Sequence, residues 1–238
     1  TYHSIDALKR AQISLERANM ALRILVATHE AISEGKTQAG IFWALVQRIG
    51  QWPECACVWI GEARNDDEKR IVPIAWAGSA SDFATSAELR WDDSPYGCGP
   101  SGTCIKTGSP SLISDVREEE SSKPWRELSE SFGIRSGISI PIIPDDGPKY
   151  LLHIAGRSPQ LFPMEDSGTY EMISKVLAFT VRSIDTEFRY TLSESARTEM
   201  ADRLQKAMQG SIAALATVVE KRDPYTSGHQ HRVAELAV

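Results

Sequence analysis

The sequence predicts an α+β protein in which a mixed zone of strands and helices lies between two long helices. Residues 4–33 contain no proline or glycine, and their apolar residues recur every three or four positions. In residues 38–182, short apolar runs bounded by polar turns are typical of paired strands. Residues 188–221 return to helical spacing and contain a single glycine. These three observations favour two terminal helices around a sheet.

Composition sets the class of protein. The 238 residues are 42% hydrophobic and carry a formal net charge of -6, which is typical of a soluble globular protein. The acidic balance disfavours a nucleic-acid polymer as a partner, and no apolar run reaches the ~18 residues of a membrane span. Four cysteines are too few for a disulfide scaffold. Without an initiator Met or a signal peptide, we expect a segment of a longer cytoplasmic protein.

The two long helices carry apolar stripes that suggest a homodimer. In the first helix, Leu8, Leu15 and Leu22 fall on one row of a heptad, whereas Gln12 and Asn19 interrupt the other row. This narrow seam favours a parallel coiled coil over an amphipathic helix lying on its own domain. In the second helix, the stripe includes Leu204 and Leu215. A helix of this predicted length needs a partner to cover its apolar stripe. A second copy of the chain would supply that partner.

The middle zone contains two predicted strand pairs. The runs "CACVWIGEA" and "RIVPIAWAG" are joined by the polar "RNDDEK", and "SGISIPIIP" and "YLLHIAGRS" by "DDGPK", where Gly147 can adopt a positive φ. The preceding "IFWALVQRIG" is typical of a helix. Between the pairs lies the long connection, residues 79–135. Connections of this length are usually functional or disordered, and its aromatic residues predict that it folds over a site.

Three stretches of the middle zone resemble the GAF domains of bacterial sensor proteins. They are "GCGPSGTCIKTGSPSLISDV", "PWRELSESFGIRSGISIPI" and "RSPQLFPMED". The resemblance implies a central antiparallel sheet of five or six strands, with helices on one face and a small-molecule pocket on the other, beneath the long connection. It implies a signalling helix in residues 1–35, the GAF domain in 36–187 and a connecting helix in 188–222.

The closing segment, residues 223–238, resembles the start of an HD-GYP domain, a subgroup of metal-dependent phosphohydrolases. The matching residues are Arg222, Asp223, Pro224, Tyr225 and Thr226, then Gly228 and His229, then Arg232, Val233 and Ala234. The resemblance implies that His229 is the first ligand of a di-iron or other divalent-metal site, whose remaining ligands would follow Val238. The parent protein would then hydrolyse cyclic di-GMP. We expect no catalytic residue within this segment.

Candidate pocket residues come from the long connection and the last strand. They are Trp91, Tyr96, Cys98, Cys104, Asp115, Trp125 and His153. The aromatic rings could stack on a planar ligand, although such rings are more often core. Gly97, Gly99 and Gly102 could offer N–H groups to an anion or simply form a turn. Cyclic nucleotides, small anions, aromatic compounds or an empty pocket all remain open.

The cysteines allow two interpretations. Alternation along a strand places Cys55 and Cys57 on one face, and Cys98 and Cys104 flank the Gly-Pro-Ser-Gly turn. Four thiolates could hold zinc or an iron–sulfur cluster. The spacings are not common metal spacings, and buried cysteine behaves as a small hydrophobe, so core or pocket-lining cysteines are favoured. No cofactor is certain in this segment.

The functional hypothesis is a sensory segment that binds a small ligand and relays its state through a dimeric helix to the HD-GYP domain. One alternative is a GAF module that serves only for dimerisation. Another is the input region of a histidine kinase, which is disfavoured because "SGHQHRVAEL" lacks an acidic residue directly after the histidine.

Overall fold

A computed structural model describes residues 20–222 of the chain. One compact unit ends at Ile184, and a second unit begins at Asp185. Several predicted features lie outside the described residues: Leu8, Leu15 and Asn19 of the N-terminal coiled coil, and His229 with the HD-GYP-like segment. Those predictions are not tested by the structure.

The elements follow the predicted order of helix, strand pair, long connection, strand pair and helix. The first two helices are α1 (20–34) and α2 (Gln38–Gly50), and the first hairpin consists of β1 (Cys55–Ala63) and β2 (Ile71–Ala77). The long connection contains α3 (Asp82–Ser86), α4 (Pro100–Thr107), β3 (Ser111–Ile113) and α5 (Arg126–Ser131). The second hairpin and the last helix are β4 (Ser136–Ile142), β5 (Lys149–Gly156) and α6 (Ser167–Arg222). Both strand pairs are confirmed, whereas the sequence did not predict the elements of the long connection.

The sheet is antiparallel, with five strands in the order β2-β1-β5-β4-β3. Gly147 adopts a φ of +105° between β4 and β5, so the predicted tight turn is confirmed. The long connection supplies the edge strand β3, which pairs with β4 through Ser111 to Ile113. The predicted α+β class and central sheet are therefore confirmed.

One face of the sheet is covered by α1, α2 and the first part of α6. Strand β4 shows the cause, because Ile138, Ile140 and Ile142 alternate with smaller residues and all point to this face. They pack with Leu45 of α2 and Ile173 of α6, both fully buried. Burying such side chains stabilises the fold by about 1.5–3 kcal/mol each.

The other face is covered by the long connection. Trp59 of β1 and Leu151 of β5 pack there with Phe83 of α3, Ile105 of α4 and Trp125. The connection thus folds back over the sheet, as the sequence predicts. This second, smaller core surrounds the candidate site.

Residues 185–222 continue α6 as a long C-terminal helix. Its large apolar side chains are exposed, with Leu204 at 63% and Leu215 at 66% of their full accessibility. No helix within residues 20–222 combines the length and apolar character needed to cross a membrane.

Candidate ligand-binding site

The floor of the site is created by small residues on one face of β4. Gly137 and Ser139 occupy the positions that alternate with the core isoleucines, so they face the long connection. Their neighbours across the sheet are Ala155 and His153 of β5. Where isoleucines would fill this space, glycine and serine leave room above the sheet.

That room forms a cavity of about 40 Å³ between the sheet and the long connection. It is lined by Trp59, Phe83, Leu89, Tyr96, Pro100, Ser101, Gly102, Ile113, Val116, Ser122, Trp125, Ser129, Ile134, Ser136, Gly137 and His153. These side chains are apolar, aromatic or hydroxylic, and none is an acid, a lysine or an arginine. Ligand sites typically combine apolar walls with a few polar groups, as here.

His153 is the central polar group of the cavity. Its Nδ1 lies 2.8 Å from Ser139 Oγ, which in turn lies 3.2 Å from Ser101 Oγ at the start of α4. Burial lowers the pKa of the imidazole from 6.5 to about 4, because desolvation disfavours the charged form. The ring is therefore neutral near pH 7. A hydroxyl chain thus connects the sheet to α4 beside the cavity.

Trp59 stacks on His153, with ring centroids 5.2 Å apart and an interplanar angle of 27°. Its indole is fully buried, and its Nε1 has no hydrogen-bonding partner within the described protein. A Cβ at Gly61 would lie 2.5 Å from Trp59 Cζ3, so glycine is needed for the far edge of the indole to fit. The opposite edge of the indole, which carries Nε1, faces away from Gly61.

Tyr96 and Trp125 form the outer wall. Their rings meet edge to face, with centroids 6.1 Å apart. Trp125 Nε1 donates to the carbonyl of Glu88 at 2.7 Å, and the Trp125 ring packs against Gly99, where a Cβ would lie 2.4 Å from it. Tyr96 is 39% exposed and also lines an outer groove that contains Cys98. Tyr96 therefore separates the cavity from that groove.

The structure places three of the predicted pocket residues, Tyr96, Trp125 and His153, on the cavity wall. The other four lie elsewhere. Cys98 is in the outer groove, and Cys104 is buried in the second core.

Trp91 and Asp115 also lie away from the cavity. Trp91 Nε1 donates to the carbonyl of Arg64 at 2.8 Å, and Lys69 Nζ lies 4.5 Å from the centroid of the indole. Asp115 pairs with Arg135 across 2.6 Å, and this hydrogen bond to the guanidinium lowers the pKa of the carboxyl. Trp91 therefore secures the long connection to the loop between β1 and β2, whereas Asp115 joins two parts of the connection itself.

The prediction that Cys55 and Cys57 share one face is wrong. The register of β1 against β5 shifts between these residues, so Cys55 packs in the core beneath the helices and Cys57 in the core beneath the connection. The Gly-Pro-Ser-Gly segment is likewise more than a turn, because Pro100 begins α4. Among residues 20–222, no group of three or more acidic, cysteine or histidine side chains is placed to hold a metal ion.

Sequence reasoning did not select Trp59, Ser101 or Ser139. The signal for Ser139 was present, since "SGISIPI" alternates small residues with isoleucine. Trp59 lies in a continuous apolar run, and periodicity does not assign faces in such a run. Ser101 reaches the site only because α4 folds over the sheet.

The fold resembles several solved structures. The free methionine-R-sulfoxide reductase from Neisseria meningitidis, solved with its substrate, is 13% identical with a TM-score of 0.55, covering 71% of this chain and 93% of that chain. The GAF domain of a phosphoenolpyruvate-protein phosphotransferase from Coxiella burnetii is 17% identical with a TM-score of 0.52, covering 71% and 98%. The corresponding GAF domain from Acinetobacter is 12% identical with a TM-score of 0.51, covering 71% and 98%.

At these identities the similarity establishes the fold alone. A search of curated proteins found no match. A comparison with protein families matches residues 33–182, more than half of the chain, to the GAF domain. With its five-stranded antiparallel sheet and the cavity beneath the long connection, the chain belongs to the GAF domain family.

Proposed function

We propose that this segment is a cytoplasmic sensor that binds a small ligand in its GAF cavity and relays the bound state through a dimeric helix to an HD-GYP domain. The observation that carries the proposal is the cavity beneath the long connection, whose apolar and aromatic wall includes the neutral imidazole of His153. Such a wall suggests a ligand site rather than simple core packing.

Exposed apolar residues support a second copy of the chain as the partner of α6. Within residues 185–218, Met200, Leu204, Met208, Leu215 and Val218 fall on one side of the helix at 3.6 residues per turn. Each is more than half exposed. Homodimers with two-fold symmetry are the commonest soluble assembly, and parallel pairing of two such stripes would bury them.

The first unit carries apolar residues of the same kind. Leu22 and Val26 of α1 are exposed, and so are Met172 and Phe179 of α6. Leu22 belongs to the heptad row that the sequence assigns to the dimer. We propose these residues as a dimer surface of the first unit itself.

The output domain is proposed from the sequence pattern of residues 222–238 alone. In this proposal His229 becomes a metal ligand only in the complete HD-GYP domain, where two metals would activate water against cyclic di-GMP. The ligand acts on the output by binding one helix arrangement more tightly than another. The segment itself performs no catalysis in this proposal.

Sulfoxide reduction, the activity of the Neisseria protein, is not proposed for this chain. Burial raises the pKa of the Cys55 and Cys57 thiols to about 12, and it also raises the pKa of Cys104. Nucleophilic cysteines need the thiolate form near neutral pH, so these three are poor nucleophiles. Cys98 lies in the outer groove, across Tyr96 from the cavity.

Native mass spectrometry of the purified segment tests the proposal. We expect a dimer that retains a small molecule, and the double variant Leu204→Lys/Leu215→Lys should be monomeric. Gln205→Lys/Gln209→Lys is the matched control, because it adds the same charges to another side of the helix. A segment that stays monomeric at high concentration would rule out the relay.

The alternative, a GAF module used only for dimerisation, predicts a dimer with an empty cavity in every preparation. An experiment on the full-length protein distinguishes the relay from the dimerisation-only alternative. There, Leu204→Lys/Leu215→Lys should abolish the ligand response of cyclic di-GMP hydrolysis. An unchanged response would favour a route that does not use this helix.

A further inference from the structure

Helix α5 turns a hydroxyl group, rather than an apolar side chain, towards the interior. Its one buried residue is Ser129, which is 4% exposed and lies on the cavity wall. The Ser129 carbonyl accepts from the N–H of Ile134 at 2.8 Å, and this bond holds the residue in place. Its side chain makes no hydrogen bond with any described residue. The inward face of a helix is normally apolar, so packing alone does not account for this serine.

His153 offers a second polar atom from the sheet. Its Nδ1 lies 2.8 Å from Ser139 Oγ, whereas Nε2 makes no hydrogen bond within the described part of the chain. His153 is 7% exposed and lines the cavity. Nε2 lies beside Gly137, where a Cβ would be 3.1 Å away, so glycine keeps the space beside this nitrogen open.

Both of these atoms can be reached from the cavity. Ser129 Oγ and His153 Nε2 lack a partner, but neither is fully enclosed, in contrast to Trp59 Nε1. Because both side chains are more than nine-tenths buried and line the cavity, the surface that they keep opens into it. A molecule in the cavity can therefore hydrogen-bond to α5 or to the sheet.

The wall of the cavity contains no charged side chain, and this limits the ligand. An ion placed there would lose its hydration without gaining an opposite charge, which is unfavourable. The imidazole of His153 is neutral near pH 7, because burial lowers its pKa to about 4. The start of α4 offers at most a partial positive charge. The wall chemistry therefore favours an uncharged molecule.

The volume of the cavity sets the size of the ligand. A space of about 40 Å³ has room for roughly three to four water-sized spheres. Water itself suits this space poorly, because a buried water makes about three hydrogen bonds and most of the wall is apolar. A compact molecule with an apolar body and one polar group fills the same space with fewer unmet hydrogen bonds.

We propose that the cavity binds a compact uncharged molecule of about four non-hydrogen atoms, a small ketone, alcohol or amide that hydrogen-bonds to Ser129 Oγ. His153 Nε2 is the second available partner. It can donate or accept, since the chain from Ser101 through Ser139 to His153 can run in either direction. This inference deepens the proposed sensor function by naming the chemical class of its ligand.

Acetone, acetate and 3-pentanone test the claim on the unmodified segment. Acetone and acetate share a planar shape and differ in charge, whereas 3-pentanone is a larger ketone. Binding is followed by NMR, through NOEs from the ligand to the methyl groups of Ile113 and Ile134 on the wall and through the ¹⁵N shift of His153 Nε2. We expect acetone to bind with roughly millimolar affinity. We expect 3-pentanone to bind roughly tenfold more weakly, because it overpacks the cavity, and acetate not to bind.

The hydrogen bond is tested by Ser129→Ala, which should weaken acetone binding roughly 3–10-fold. Ser131→Ala is the matched control in the same helix, because the Ser131 hydroxyl is exposed and already donates to the carbonyl of Leu128 at 2.7 Å. The control should bind acetone as the unmodified segment does.

Four results would overturn the inference. They are the absence of saturable NOEs from acetone, acetate binding as tightly as acetone, 3-pentanone binding as tightly as acetone, and unchanged acetone affinity in Ser129→Ala. The first three are measured on the unmodified segment, so the claim stays testable even if Ser129→Ala does not fold.

The relay is measured separately as the distance between spin labels at Gln205→Cys in the two copies, with Cys98→Ser to remove the exposed native thiol. Acetone that binds without changing this distance upholds the ligand class and counts against the relay. A distance that responds to acetate but not to acetone overturns the ligand class and keeps the sensor function.

Discussion

Trp59 and His153 are cross-strand partners on β1 and β5, and their rings stack 5.2 Å apart on the floor of the cavity. This pairing places a buried N–H donor beside a buried neutral imidazole. No acidic or basic side chain other than His153 itself lines the cavity, so the wall provides no ion pair to either ring. The consequences can be measured in stability as well as in binding.

Acid should destabilise the domain through His153. Its pKa is about 4 in the folded protein and 6.5 when exposed, so the unfolded chain binds the proton more readily. The stability contributed by the neutral ring is present above pH 6.5 and is lost as the pH falls towards 4, by about 3 kcal/mol. Urea unfolding across this range should show the slope in the unmodified protein and not in His153→Gln. His29→Gln, at an exposed histidine, is the control. The prediction is contradicted if the free energy of unfolding depends on pH in the same way in the unmodified protein and in His153→Gln.

The turn after β2 should not tolerate a side chain at Gly78. Gly78 and Gly147 have nearly equal φ values, +107° and +105°, but a Cβ at Gly78 would lie 2.6 Å from the carbonyl oxygen of Ala56. We expect Gly147→Ala to cost about 1–2 kcal/mol from backbone strain alone. Gly78→Ala should cost about 1–3 kcal/mol more, because the strand beneath it must move. If Gly78→Ala and Gly147→Ala lower the free energy of urea unfolding equally, the contact with Ala56 is relieved without a cost in stability.

The pair between Asp115 and Arg135 should stabilise the fold of the long connection, because it joins the middle of the connection to its last residue before β4. The Asp115 side chain is only 13% exposed, and two of its contacts with the guanidinium are hydrogen bonds. We expect Asp115→Asn to lower the free energy of unfolding by about 1–2 kcal/mol. Asp145→Asn is the matched control, since Asp145 pairs with Arg182 at the exposed surface and should change stability by less than about 0.5 kcal/mol. A loss of the same size in both variants would mean that burial does not matter here.

The four cysteines should differ in reactivity. Cys98 is exposed, whereas Cys55, Cys57 and Cys104 are buried with raised thiol pKa values. A disulfide reagent should therefore modify one thiol rapidly in the native protein and the other three only on unfolding. Cys98→Ser should remove the rapid phase. Two or more rapid thiols in the native protein would show that the second core opens readily.

Strong local patterns explain how much of the fold was predictable. The strand pairs of β1–β2 and β4–β5 were predicted because each is a local apolar hairpin with a polar turn, and α2 because Ile41, Leu45 and Ile49 repeat at helical spacing. The edge strand β3 was missed because Ser111 to Ile113 is too short to show a period. Its partner, β4, is separated from it by α5.

The candidate site was predicted in part, and for a different reason. Tyr96 and Trp125 were selected as aromatic residues in an unusually long connection, and both lie at the cavity. Trp91 was selected on the same grounds and lies against Lys69 instead. Residue type indicates which side chains can line a site, but it does not indicate which way a loop turns them.

The sequence by itself determined the family, the strand pairs and the long C-terminal helix, because these depend on patterns between near neighbours. Only the tertiary structure decided which residues meet above the sheet. A register shift in β1 separated Cys55 from Cys57, and the path of the long connection brought Ser101 to Ser139. Both depend on contacts between residues far apart in the chain, for which local periodicity carries no information.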